Sequence, residues 1–465
     1  MFEDLRDRHR VTRRELFERG AAFAAMISAP AGWKRLFRDL IAPARPYYNA
    51  AVRAEQWIRR SAQEHTSGVA WPADPLKPES VELDLYNGMP GVVLFYLELW
   101  NATKWATMLD RAALGADHLA ATLPADKSQL GDEGAGLYTG VAGTAFVLER
   151  AHAATGGARY RDAAHRAIAL LHDAETARGK GIAWNDVNDT IAGSAGIGLT
   201  MLWAERALGD DAARKSATLA GRHLVEAGIP ERGGLKWEVS PGFERRYPNF
   251  SHGTAGVSYF LATLYLETRE QQFLDAAIAG ATYLDAIATT TDTGGKKVFH
   301  HEPGGEDLFY LSWCHGPAGT ARLYHQLGLA TGSGKWSGEV PRLAQGIIDS
   351  GVPETHPDLS GYWNNISQCC GNSGVCEFFL SLYGLTKERK YLAFAARVAD
   401  DTLARATVDG DGLKWVQAEN RVSPAEVIAQ TGMMQGAAGV GLALLHLDGI
   451  AVDRPRFVVL PDNPW

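Results

Sequence analysis

The sequence predicts an all-α fold, an α/α toroid in which seven inner helices are ringed by seven outer ones. Two patterns carry that expectation. A Gly-x-x-Gly turn recurs seven times, its first glycines at Gly88, Gly140, Gly193, Gly253, Gly316, Gly371 and Gly436, so the period runs from about 52 to 65 residues, enough for two helices and their connections. Between the turns, runs that are apolar nearly all round alternate with amphipathic ones. The first kind suits burial on most sides, the second an outer layer.

The elements follow in that order. After Gly88 come Val92, Val93, Leu94, Phe95, Tyr96, Leu97 and Leu99, and after Gly371 come Val375, Cys376, Phe378, Phe379, Leu380 and Leu382; both read as inner helices. The stretch 160–172 gathers Ala163, Ala164, Ala167, Ile168 and Leu171 on one stripe and keeps Arg161, Asp162 and Arg166 off it, the pattern of an outer helix. The first glycine of each turn is expected to permit a tight turn or positive φ, and the second a close approach of helices or ligand. Seven helix N-termini would then share one mouth and offer it free N–H groups and positive dipole ends, favouring anions such as thiolates. The first, second and seventh turns read as packing devices. Function is expected from the residues that set the other turns apart.

A chain of 465 residues with 46% apolar content could hold two or three domains, but the repeats leave no linker-like gap between Gly88 and Gly439. One domain over 47–465 is therefore expected. A net charge of −8, with no basic stripe interleaved with aromatics, excludes nucleic acid as the main partner. No apolar run reaches membrane-spanning length, and four cysteines in so long a chain make no disulfide framework. Residues 1–31 stand outside the repeats. Arg13-Arg14, a modestly apolar stretch from Gly20 to Ser28 and the triplet Ala29-Pro30-Ala31 resemble a twin-arginine export signal, followed by a linker over 32–46. Export by that route is the expected localisation, with the cytoplasm as the alternative.

Cys314 opens the fifth turn, and Cys369 with Cys370 opens the sixth; adjacent turns of a ring are neighbours in space. Three thiolates at ~2.3 Å fill three tetrahedral positions on zinc and leave the fourth for a substrate, the ligand count of a catalytic site. Cys376, inside the following apolar run, reads as a small hydrophobe. His315 directly follows Cys314 and is expected at the cavity wall rather than on the metal. His252, in the fourth turn, is placed near the mouth by its register, at or beside the position of Cys314.

The turns Trp313-Cys314-His315-Gly316, Cys369-Cys370-Gly371 and Ser251-His252-Gly253 together resemble the LanC-like lanthionine cyclases, over roughly residue 47 onward. The resemblance implies the seven-plus-seven toroid and zinc on Cys314, Cys369 and Cys370, in a three-cysteine variant of the family's more common two-cysteine, one-histidine set. It also implies addition of a peptide cysteine thiol to dehydroalanine or dehydrobutyrine, forming a thioether. In that chemistry zinc lowers the thiol pKa, His252 is the general acid that protonates the enolate, and Asp189 orients His252 or stabilises its charge. Asp189 equally suits a helix N-cap. The implied partners are a dehydrated peptide or small thiol substrate and a separate dehydratase, for which this chain has no room.

One departure stands out: Tyr310 lies four residues before the zinc cysteine, where the family places an arginine. Arg245, Arg246 and Arg322 are candidates to replace it. Two other classes fit parts of the sequence. A carbohydrate-active toroid would pair Asp186 with Asp189, or Glu302 with Glu306, and stack sugars on Trp184, Trp237 and Trp363; a zinc-stabilised binding protein would need no catalytic group.

Overall fold

The computed structural model describes residues 45–354 and 361–465. The segment resembling an export signal and the linker up to residue 44 lie outside them. Seven inner helices, Met89–Thr103, Val141–Thr155, Ser194–Leu208, Thr254–Thr268, Pro317–Thr331, Asn372–Thr386 and Ala437–Ala451, have 15 residues each. Six outer helices alternate with them: Ala106–Thr122, Ala158–Asp173, Asp211–Ala227, Gln271–Ile287, Glu339–Asp349 and Arg389–Ala404. The seventh is Pro46–Arg59, which packs on the last inner helix and closes the ring. No helix among the described residues is long and apolar enough to cross a membrane.

Burial follows the two sequence patterns. Met89 through Leu99 is buried without a break, as a helix enclosed by neighbours and by its outer partner requires. In Ala158–Asp173 the stripe of Ala163, Ala164, Ala167, Ile168 and Leu171 is buried while Asp162 and Arg166 are exposed.

What fixes the turns relative to one another is a closed belt of backbone hydrogen bonds. Tyr86 N–H donates to Tyr138 O (2.9 Å), Tyr138 to Ile191 (2.9 Å), Thr190 to Ser251 (3.1 Å), Ser251 to Cys314 (2.8 Å), Cys314 to Cys369 (3.0 Å), Cys369 to Met434 (2.9 Å), and Met434 back to Tyr86 (2.9 Å). Every repeat contributes, mostly through the residue two places before its first glycine. Each such bond is worth about 1 kcal/mol net; their larger effect is geometric, because they set seven turns in register around one mouth.

The glycines serve that geometry differently from expectation. The first glycine of every turn has negative φ, from −89° at Gly88 to −155° at Gly140, so no positive-φ turn is required. Space is the constraint: a Cβ on Gly316 would lie 2.3 Å from Leu311 C, and one on Gly319 would lie 1.9 Å from Trp313 O. The helix N-termini differ too. Their first N–H groups are satisfied by carbonyls seven residues earlier, Ser194 by Val187, Thr254 by Tyr247, Asn372 by Asn365 and Ala437 by Gln430. They are not free for an anion, and side chains set the polarity of the mouth.

Two-stranded sheets decorate the helices, six antiparallel and one, Phe309–Tyr310 with Tyr362–Trp363, parallel. Several hairpins lead into a buried tryptophan whose indole N–H donates to the preceding outer helix: Trp184 to Leu171 O (2.8 Å), Trp237 to Leu224 O (2.7 Å) and Trp415 to Thr402 O (2.8 Å). Trp184 and Trp237 are thus anchors of the scaffold, and Trp363 is buried as well. None is an exposed platform for a sugar ring.

Candidate metal centre

Cys314, Cys369 and Cys370 converge. Their sulfurs lie within 4.8 Å of one another, with Cys314 Sγ 3.3 Å and Cys369 Sγ 3.4 Å from Cys370 Sγ. The belt bond between Cys314 and Cys369 brings the two turns together, and Cys370 N–H is held by Ser367 Oγ at 3.1 Å. All three are unpaired and buried. Sulfurs bound to zinc at ~2.3 Å in a tetrahedron stand about 3.8 Å apart, so the set fits that ion after spreading by a few tenths of an ångström. Among the described residues no other cysteine, histidine or carboxylate joins the group. Cys376 is buried in its inner helix and takes no part.

Burial pushes the thiols of Cys314 and Cys369 up, disfavouring their thiolates. Cys370 goes the other way: hydrogen bonding with Cys314 and Cys369 outweighs burial and shifts it downward, with Gln435 and the charge of His252 adding to them.

Opposite stands a wall of imidazoles. His252 Nδ1 lies 2.6 Å from Asp189 Oδ2. The other oxygen of Asp189 accepts the N–H groups of Ile191 (2.9 Å), Ala192 (2.9 Å) and Gly193 (3.1 Å). Asp189 thus braces the turn before the helix rather than capping the helix itself, where Gly193 is the cap. It takes the Ile191 N–H, and Thr190 supplies the belt bond to Ser251 in its place. Burial opposes the charge of His252, but Asp189 overcomes it and holds this imidazole above its ordinary value.

Its neighbours are shifted downward. Burial, aided by His301 and Arg421, takes His300 to about 3; burial, then His300 and His252, holds His315 well below the usual range; burial and Arg245 lower His301. The rings form one cluster, with His315 4.2 Å from His300 and 5.6 Å from His252, and Tyr310 4.1 Å from His300. Of these four imidazoles only His252 is biased toward its charged form. Its register matches His315 and Cys370, each the residue just before the first glycine, one place beyond Cys314.

A family model described as lanthionine synthetase C-like protein matches residues 79–450. The chain belongs to the lanthionine synthetase C-like family. A solved structure of nisin cyclase resembles this LanC-like chain at 16% identity and TM-score 0.60, covering 88% of this chain and 95% of that one; at that identity the likeness is one of fold. An α-1,6-mannanase of Salegentibacter sp. HEL1_6 (11% identity, 87% and 99% covered, TM-score 0.48) and an unsaturated glucuronyl hydrolase specific for heparin (12% identity, 90% and 100% covered, TM-score 0.47) also align. No curated protein matches the sequence.

In this LanC-like chain one of the three arginine candidates is committed elsewhere. Arg322 ion-pairs with the fully buried Asp462 at 2.7 Å, which also accepts from Tyr138 Oη and Trp313 Nε1, each at 3.1 Å. The segment carrying Asp462 thereby forms a floor under the Trp313-Cys314 turn. Arg246 exchanges backbone hydrogen bonds with Glu302, but its buried side-chain Nε has no hydrogen-bond partner; Arg245 is exposed on the side of His300 and His301. The carboxylate pairs are also engaged: Asp186 with Arg178, Glu302 with Arg232 and Tyr283, and Glu306 with the N–H of Gly304.

Sequence reasoning missed Tyr86 and Gln435. Tyr86 Oη donates to Cys369 Sγ at 3.0 Å and accepts from Gln435 Nε2 at 3.0 Å, and Gln435 Nε2 is 3.9 Å from Cys370 Sγ. The first and seventh turns are more than packing devices. Their signal was positional: Tyr86 holds the slot of Cys314 and Cys369, and Gln435 the slot of Cys370 and His252.

Proposed function

We propose that this LanC-like protein forms thioether links by adding a cysteine thiol to a dehydroalanine or dehydrobutyrine, with zinc held by Cys314, Cys369 and Cys370. The observation that carries this reading is the convergence of three sulfurs in the same mouth as one carboxylate-held, upward-shifted imidazole. Zinc at such a centre supplies a Lewis acid that lowers the pKa of a substrate thiol, leaving the thiolate as nucleophile near neutral pH.

The remaining work falls to the chain. Attack at the β-carbon forms the S–C bond, breaks the C=C π bond and leaves an enolate whose α-carbon must gain a proton. His252, with Nδ1 committed to Asp189, keeps Nε2 for that delivery. Asp189 fixes the tautomer and is itself immobilised by three backbone N–H groups. The low-shifted His300 and His315 stay neutral and give the developing enolate donors without competing charge. The proton lost by the thiol is balanced by the one gained at carbon, so product and substrate are isomers.

The test follows from that balance. Protein purified with one zinc per chain is incubated with a peptide carrying one cysteine and one dehydroalanine. The expected result is an unchanged peptide mass and loss of the alkylatable thiol. A thiol that stays alkylatable at the uncatalysed rate, with zinc bound, sinks the reading.

A further inference from the structure

A centre built from three thiolates carries more negative charge than one containing a histidine, and burial opposes that charge. The sulfurs receive unequal help. Cys369 Sγ takes the Tyr86 hydroxyl proton at 3.0 Å, and the Tyr86 oxygen in turn accepts the Gln435 side-chain N–H at 3.0 Å. The same nitrogen approaches Cys370 Sγ at 3.9 Å. Among the described residues Cys314 Sγ has only the other two sulfurs as hydrogen-bond partners, Cys370 Sγ at 3.3 Å and Cys369.

Amide, hydroxyl and sulfur thus form a directed relay, each donor polarised by the one behind it. Neither residue is held there as a bystander. Tyr86 belongs to the belt on both sides, through Tyr138 and Met434; Gln435 is almost fully buried, and its main-chain carbonyl is gripped by Gln417 Nε2 at 2.7 Å. The relay also spans the seam where the ring closes, since Tyr86 comes from the first repeat and Gln435 from the last.

We propose that Tyr86 and Gln435 are positioning residues for the metal centre: their relay bonds to Cys369, lowers the charge its sulfur donates, and makes an all-sulfur site tolerable at the closure of the ring. This rests on the zinc reading above. Outer donors of this kind typically change metal affinity 10–100-fold. They also alter the donor level of the sulfur they touch, which is visible when cobalt(II) replaces zinc.

The experiment compares the full chain with Tyr86→Phe, Gln435→Leu and Tyr138→Phe. Tyr138 holds the equivalent slot of the next repeat, but its hydroxyl goes to Asp462 rather than to sulfur. Zinc affinity is read by chelator competition, and the sulfur-to-cobalt charge-transfer band by absorption. Tyr86→Phe is expected to weaken zinc about 10-fold or more and to move the band to longer wavelength. Gln435→Leu should do the same to a smaller degree, and Tyr138→Phe should leave the band in place. An unmoved band in Tyr86→Phe with cobalt bound overturns the relay. So does an equal shift in Tyr138→Phe, which would mean general loosening of the ring. Failure of the unaltered chain to bind zinc or cobalt overturns the metal reading instead, and the relay with it.

Discussion

The two walls of the mouth, sulfur and imidazole, are built on the same backbone and answer burial in opposite directions. Cys314, Cys369 and Cys370 occupy the last two residues before a first glycine, and so do His252 and His315. Burial disfavours the charged form of each, raising Cys314 and Cys369 and lowering His300, His301 and His315. One member of each wall escapes. Cys370 does so through hydrogen bonds from its neighbouring sulfurs, and His252 through Asp189. The scaffold supplies proximity; the neighbouring sulfurs on one wall and Asp189 on the other set one member apart from the rest.

That contrast breaks most sharply at the metal. Cys370→Ala should weaken zinc more than ~100-fold, past the range of outer-residue changes, and abolish thioether formation; metal analysis of the purified variant checks it. Loss of the imidazole alone should separate the walls. His252→Ala is expected to keep one zinc per chain while slowing thioether formation about 10²–10⁴-fold, the usual span for a general acid, measured as the rate of thiol loss.

Asp189→Asn sharpens the comparison further. Asp189 holds His252 above its ordinary pKa, so the acid form persists to higher pH and is lost as pH rises through the folded value. Removing the carboxylate charge should move the alkaline limb of the rate profile to lower pH, costing roughly tenfold above the limb for each unit moved. Asn retains an oxygen for the three N–H groups, so folding should survive. The smallest effect is expected from carboxylates outside both walls. Asp186→Asn and Glu306→Gln should leave thioether formation within about twofold, as exposed substitutions do; a large loss in either would revive the paired-carboxylate alternative.

Much of this was legible in the chain. The Gly-x-x-Gly period and the alternation of all-round apolar with amphipathic runs define seven inner and seven outer helices, because helical burial is written in the spacing of apolar residues. That the cysteines of the fifth and sixth turns lie together, and Asp189 beside His252, was likewise readable, since consecutive repeats of a ring must touch. The carbohydrate-active alternative would use Trp184 and Trp237 as stacking surfaces, and only their indole bonds to Leu171 and Leu224 show them to be anchors.

What the sequence by itself determined is local and periodic: which segments are helices, which face is buried, and where glycine is needed to admit a neighbouring carbonyl. The tertiary structure decided what lies across the ring. Tyr86 stands 283 residues from Cys369, and His300 reaches the mouth from a connecting segment outside the turn register. Their neighbours are set by closure of the belt through all seven turns. A closed ring of hydrogen bonds is a condition on the whole circuit, so no window of sequence can contain it.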